Sequence, residues 1–414
     1  MSISSNIEWT DSTWNPVRGC ARVSEGCRNC YAERMAYRFS GPGQPYEGLV
    51  TLANGHPTWT GRVSFVEKHI LDPMRWGPVI DHSADCQRDW EAAVARWKAE
   101  GGKRPQRKRG CDCVSRRRIV FVNSVSDLFH ESIPAWWQDQ IFAVMAMCRE
   151  TTFIVLTKRA KRMHEYLTAP AGELQTRWRF AASHLLGSGQ EAEKRAPKGF
   201  PLPNVALGVS IEDQDTANHR VPYLLLTPAA FRLVSAEPLL GPLDLTAIRY
   251  HDHVDPEIEC EWNALTAFHQ VLHSQSMDAV ATEDDGITKL DMVICGGESG
   301  QNARPMHPAW PRRLRDDCLA AGTAFYFKQW GEWWPGSDAR VPSICLYTDG
   351  RSCAFTQEAI LEEEKRSGIR HRDCFPTVAS RVGKKAAGDL LDGKQWHQYP
   401  KDFLHAKAHP TLTS

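Results

Sequence analysis

Several features are scarce in this sequence, and each absence narrows the class of protein. Lys plus Arg and Asp plus Glu number 50 each, so the formal net charge is zero and gives no global attraction to nucleic acid. The first twenty residues, MSISSNIEWTDSTWNPVRGC, have neither a basic nor an apolar signal-peptide region. No apolar run is long enough to span a bilayer. We therefore expect a cytoplasmic protein with no membrane association.

Cysteine, in contrast, is plentiful. The 414 residues, enough for one large α/β domain or two smaller ones, include 13 cysteines, an odd number. In a reducing compartment these are not expected to form a disulfide framework. Each is therefore either a metal or cluster ligand or a small buried hydrophobe.

Short apolar, β-branched runs recur through the middle and late parts of the chain, and helical segments often follow them. Continuous apolar runs of this length are typical of strands that are buried on both faces of a parallel sheet. Their alternation with helices indicates βαβ units and an α/β fold. The six runs are Arg118 to Asp127, Thr152 to Arg159, Asn204 to Asp213, Phe231 to Pro238, Leu290 to Ser299 and Thr323 to Trp330.

Polar side chains end each of these runs. In parallel barrels and open α/β sheets, ligands bind at the carboxyl edge of the strands. Six polar endings in succession therefore predict a shared active-site rim. The residues are Ser124, Ser126, Asp127, Thr157, Lys158, Ser210, Glu212, Glu237, Glu298 and Lys328.

The strand rhythm also suggests a domain organisation. We expect a barrel-like scaffold over residues 1–335, followed by a C-terminal extension over 336–414. Three segments interrupt the rhythm and are predicted to be insertions or long loops. They span about 77–117, 168–203 and 246–288.

The sharpest motif is a group of three cysteines, Cys20, Cys27 and Cys30, spaced C-x6-C-x2-C. A compact loop of this kind often provides the thiolate ligands of a [4Fe–4S] cluster. Three cysteines without a nearby fourth leave one iron open to a small molecule. The spacing alone also allows a zinc site with a distant fourth ligand, or three unrelated thiols.

The segment from Asn15 to Ala32 resembles the cluster loop of radical S-adenosylmethionine (SAM) enzymes, especially the spore photoproduct lyase-like branch. It has three more residues between the first two cysteines than the usual C-x3-C-x2-C. The whole chain resembles a phage-associated group of proteins known by its three-Cys motif, in which the longer spacing is expected. The matching segments are FVNSVSDLFHE, VLTKRAKRM, LGVSIEDQ, SAEPLLGPLDL, ICGGESG, ARPM and FYFKQWGE.

This resemblance implies a partial (β/α) barrel of the radical SAM type and a matching activity. The cysteines would hold a [4Fe–4S] cluster, and SAM bound at the open iron would be cleaved to a 5′-deoxyadenosyl radical. The resemblance also implies an electron donor such as flavodoxin or ferredoxin, and a possible partner protein for the three-Cys motif. For the substrate, our first expectation is a nucleic acid or nucleotide. The catalytic residues remain unassigned.

Three SAM contacts are expected from the same resemblance: Ser126, Lys158, which suits the SAM carboxylate, and Ser210. The alternatives are a strand-end hydroxyl that bonds its own backbone and a solvated lysine. Four acidic residues are weaker candidates for ribose, amino-group or substrate contacts. They are Asp127, Glu212, Glu237 and Glu298.

Basic residues concentrate in the region from Lys103 to Arg118, which makes it the candidate for phosphate contact. The alternative is a solvated loop. Cys111 and Cys113 lie in this region and, with Cys86, are candidates for a second metal. A rival function follows: a nucleic-acid-binding protein that is stabilised by zinc and does not turn over SAM.

Overall fold

A computed structural model describes most of the chain. Most of the basic region, with Cys111 and Cys113, lies outside the described residues. The described residues are 5, 7–81, 84–101, 105, 114–187, 194–195, 199–251, 259–273, 288–369 and 376–404.

The centre of the molecule is a sheet of seven strands, in which every neighbouring pair is parallel and the order across the sheet equals the order along the chain. We number these strands β1 to β7. They are Ser12–Trp14, Arg118–Val122, Thr151–Thr157, Val205–Ile211, Phe231–Ala236, Met292–Gly296 and Ala324–Gln329.

This topology explains why the sheet curls into a half-barrel. Crossovers between parallel strands are nearly always right-handed. Successive strands added in chain order therefore place their helices on one face and leave the other face concave.

The described α-helices are Tyr31–Tyr37, Ala84–Glu100, Ala135–Met147, Ala160–Leu167, Ala171–Leu186, Gln214–Leu226, Ala309–Ala321, Gln357–Ser367 and Lys384–Ala387. Short 3-10 turns lie at Glu25–Cys27, Glu67–His69 and Asp72–Arg75.

Alternate side chains of each strand supply two cores. In β3, Phe153 and Val155 join the large core beneath the helices, whereas Ile154 and Leu156 join a smaller core on the concave face. Both faces are therefore apolar, as the continuous runs predicted. The predicted α/β fold with parallel strands in a partial barrel is confirmed, and β1 is a seventh strand that the sequence did not reveal.

Smaller sheets surround the half-barrel. A three-stranded antiparallel sheet comprises Ile248–His251, Glu259–Asn263 and Phe268–His273, and a four-stranded one comprises Trp333–Pro335, Ser343–Leu346, Ser352–Ala354 and Thr377–Arg381. The two-stranded pairs are Val17–Arg18 with Ser64–Phe65, Val50–Ala53 with His56–Trp59, and Val79–Asp81 with Val114–Arg116.

Two of the expected peripheral segments contribute to the core. Within 168–203, the helix Ala171–Leu186 buries Leu174 and Trp178 in the large core. Within 336–414, the fully buried Phe403 joins the concave-face core. The boundaries between the scaffold, its insertions and the C-terminal extension therefore stay a prediction.

Across the part of the chain that the structure describes, no helix is both long enough and apolar enough to cross a membrane.

Candidate functional site

A cavity of about 280 Å³ opens at the carboxyl edge of the half-barrel. Its walls are the ends of the sheet strands and the segment from Cys20 to Cys30, which we call the cysteine loop. Most of the site residues predicted from sequence meet here. Those that line the cavity are Cys20, Cys27, Cys30, Ser126, Asp127, Lys158, Ser210, Glu237 and Glu298.

The cysteine loop has defined local structure. The amide of Cys27 donates to the carbonyl of Ser24 over 2.9 Å, and the amide of Cys30 donates to that of Cys27 over 3.3 Å. None of the three thiols is in a disulfide. Burial, followed by the nearby charge of Asp127, raises the pKa of Cys20 to about 12 despite the opposing charge of Arg159, so burial favours the protonated thiol.

The three thiols face one cavity but are not gathered around one point. Within the described residues, no group of three or more His, Cys, Asp or Glu side chains is arranged to hold a metal ion. The donor set itself is the kind that iron–sulfur clusters and zinc use. A cluster held here would require the cysteine side chains to turn toward a common point. Cys86, the described one of the three cysteines considered for a second metal, lies in Ala84–Glu100 and does not line the cavity.

Asp127 joins the ends of β2 and β3. Its carboxylate accepts hydrogen bonds from Thr157 Oγ1 at 2.7 Å and from the Lys158 amide at 3.1 Å. It also accepts from Arg159 Nη1 at 3.2 Å, and Arg159 reaches Cys20 Sγ at 3.9 Å. Asp127 therefore organises the wall of the cavity. Sequence reasoning missed Arg159, although it directly follows Lys158.

The two predicted serines differ. Ser126 Oγ donates to the carbonyl of Val17 at 3.0 Å, a backbone group remote in sequence rather than its own backbone, and its lone pairs can still accept a hydrogen bond. Ser210 lines the cavity, and its hydroxyl bonds no other described residue. Ser210 is therefore the more available of the two to a ligand.

Lys158 and Glu212 form a buried ion pair beneath the cavity. Lys158 Nζ contacts Glu212 Oε1, Arg220 Nη1 donates to Glu212 Oε2 at 3.0 Å, and Ser24 Oγ donates to Glu212 Oε1 at 2.9 Å. Burial lowers the pKa of Lys158 from its ordinary value. The lysine side chain is 18% exposed and can direct another N–H into the cavity. Glu212 itself does not line it.

A second ion pair lies on the β5–β7 side. Glu237 Oε1 pairs with Lys328 Nζ at 3.0 Å, and Ser235 Oγ donates to Glu237 Oε2 at 3.1 Å. All three residues line the cavity. Ser235 was missed from sequence, although it lies near the end of β5 and only two residues before Glu237.

Glu298 anchors the cysteine loop from the β6 side. Its oxygens accept from Arg304 Nη2 at 2.7 Å and from Asn29 Nδ2 at 3.0 Å. Burial opposes ionisation, but these hydrogen bonds keep the pKa of Glu298 below its ordinary value. Arg304 also donates to the carbonyl of Glu25 at 2.9 Å. Arg304 belongs to the ARPM segment, one of the segments that carry the resemblance. Membership of that segment was the one sequence feature that could have indicated its contacts with Glu298 and the cysteine loop.

The architecture and site can be compared with known proteins. The model of a family described as protein of unknown function (DUF5131) matches residues 4–400. The chain belongs to this family. The DUF5131 match spans the seven-stranded sheet, the cysteine loop and the four-stranded sheet, so the whole cavity lies within the family's extent. Neither the search of curated proteins nor that of solved structures found a match.

Proposed function

We propose that this protein is a radical SAM enzyme whose [4Fe–4S] cluster is held by Cys20, Cys27 and Cys30. The observation that carries the proposal is that all three cysteines face one cavity at the carboxyl edge of a parallel half-barrel, beside Lys158 and Ser210. A three-thiolate set leaves one coordination site for a small molecule. The cavity is close in size to typical ligand pockets.

When bound, the cluster would supply an electron for reductive cleavage of SAM to methionine and a 5′-deoxyadenosyl radical. The protein's part is to bind and orient. Lys158 would donate a charge-assisted hydrogen bond to the SAM carboxylate, and Ser210 would bond a polar group of the ligand. Trp9, Phe121 and Leu156 line the cavity and would exclude water from the reacting bond.

The remaining parts of the proposal follow from the resemblance of the sequence segments around the site to radical SAM enzymes and to the three-Cys-motif group. The barrel would be of the radical SAM type, nearest the spore photoproduct lyase-like branch, in a phage-associated group that acts in the cytoplasm. Electrons would come from a flavodoxin or ferredoxin. The substrate would be a nucleic acid or nucleotide, for which the basic region from Lys103 to Arg118 is the proposed contact. The same resemblance suggests that this protein acts together with a three-Cys-motif partner protein.

Metal analysis after anaerobic reconstitution tests the cluster. We expect about four iron and four sulfide per chain in the wild type, and loss of the intact cluster in Cys27→Ala. Cys148→Ala is the matched control, because Cys148 lies at the end of Ala135–Met147 and does not line the cavity. It should retain full iron and sulfide.

Two results would count against this assignment. A Cys27→Ala variant that still assembles a complete cluster would refute the ligand set. Stoichiometric zinc without sulfide, in the protein as purified and after reconstitution, would favour the zinc-stabilised nucleic-acid-binding alternative instead.

A further inference from the structure

The cysteine loop is attached to the sheet on both sides of Cys27. Before it, Ser24 Oγ donates to Glu212 Oε1 at 2.9 Å. After it, Asn29 Nδ2 donates to Glu298 Oε2 at 3.0 Å. Glu212 follows β4 and Glu298 follows β6, so the loop bridges two strands that β5 separates.

Glu212 is fully committed to contacts within the chain. Its side chain is 1% exposed. Oε1 accepts from Ser24 and Lys158, and Oε2 accepts from Arg220 at 3.0 Å. Both oxygens are therefore occupied beneath the cavity wall, which leaves this carboxylate no route to a ligand.

Ser24 donates its hydroxyl hydrogen to this carboxylate, and its Oγ also lies 4.0 Å from Cys27 Sγ at the end of its own turn. It precedes the 3-10 turn Glu25–Cys27 with an extended backbone, φ −154° and ψ 172°, the position at which serine commonly caps a helical turn. Yet its side chain makes no capping hydrogen bond. Gly26 packs on the same carboxyl group so closely that a Cβ at this position would overlap it. The 3-10 turn therefore packs directly against the Glu212 carboxyl group.

We infer that Glu212 is a positioning residue, which holds the cysteine loop over the cavity through Ser24. This assigns it a role different from the ligand contact expected from sequence. The contacts above support the inference that Glu212 keeps the cysteine loop ordered. The further consequence, that the ordered loop positions Cys27 to bind the cofactor, rests on the proposed function.

Hydrogen–deuterium exchange of the reduced, metal-free full chain tests this role. In Ser24→Ala, we expect the backbone amides of residues 24–30 to exchange about tenfold faster, because a hydrogen bond to a charged group is lost and local opening becomes easier. Ser24→Thr keeps the hydroxyl and should restore slow exchange. Ser40→Ala is the control, because among the described residues Ser40 Oγ bonds one group, the nearby carbonyl of Tyr37.

A second variant, Glu212→Gln, should accelerate the same amides, provided that its melting curve shows a folded chain. Because it removes the charge partner of two buried cations, it can also unfold the protein, whereas Ser24→Ala leaves both ion pairs in place. Unchanged exchange of residues 24–30 in Ser24→Ala would overturn the inference. Faster exchange in a protein that never assembles a cluster would support the positioning role and defeat the proposed function, so the two failures are distinguishable.

Discussion

The acidic side chains that follow the strands are each bonded within the chain at both carboxylate oxygens. For Glu237 the partners are Lys328 Nζ at Oε1 and Ser235 Oγ at Oε2. Asp127, Glu212 and Glu298 each accept hydrogen bonds on both oxygens from other parts of the chain. Such bonds hold strand ends and the cysteine loop in place. Sequence position alone could not separate these supporting roles from ligand contact, because both require a carboxylate at a strand end.

Lys158 is the residue whose proposed ligand contact is most readily tested. In Lys158→Ala, we expect SAM cleavage measured as kcat/KM to fall by about tenfold to a hundredfold, the usual loss for a hydrogen bond to a charged group. Iron and sulfide content should stay at wild-type levels, because Lys158 is not a proposed cluster ligand.

Lys161→Ala is the matched control, since Lys161 is an exposed lysine three residues away. It should leave SAM cleavage unchanged. If Lys158→Ala retained full kcat/KM for SAM cleavage, Lys158 would have only its structural role as the partner of Glu212.

At the level of elements, the cysteine loop depends on a glycine at position 26. In Gly26→Ala the added methyl group would overlap the Glu212 carboxyl group, and the loop must shift. Overpacking of this kind typically costs about 1–3 kcal/mol in the free energy of unfolding. We expect that loss in chemical denaturation, together with reduced iron incorporation.

Gly172→Ala is the corresponding control. Gly172 lies in Ala171–Leu186, and a Cβ there meets no atom of the described part of the chain within 4 Å. Alanine should be neutral or slightly stabilising at this helical position. Equal stability and iron content for Gly26→Ala and the wild type would contradict the close packing of the 3-10 turn against Glu212.

The strands were predictable because burial on both faces leaves a continuous apolar run. For example, Thr152 to Arg159 contains all of β3 except Thr151, and Leu290 to Ser299 contains the whole of β6. The sequence Ser12–Trp14 shows no such run, because β1 has only three residues and lies at the edge of the sheet. The polar strand endings likewise predicted which edge would carry the cavity, since all parallel strands end on the same side.

At the scale of the whole molecule, the unpredicted contacts join segments that are remote in sequence. Thr152 Oγ1 donates to the carbonyl of Phe403 at 2.8 Å, and Arg304 reaches the carbonyl of Glu25 at 2.9 Å. Near β7, the Phe327 amide donates to the carbonyl of Trp396 at 2.7 Å. Neither hydrophobic periodicity nor motif spacing encodes such pairings, because each depends on where the complete sheet places the chain.

The measurement that tests the central claim most directly is SAM cleavage by the full chain. The protein would be reconstituted anaerobically, reduced with dithionite and incubated with SAM. We predict formation of 5′-deoxyadenosine and methionine, absent from Cys27→Ala and retained in Cys148→Ala. An intact [4Fe–4S] cluster that is reduced but forms no 5′-deoxyadenosine from SAM would contradict the proposed activity.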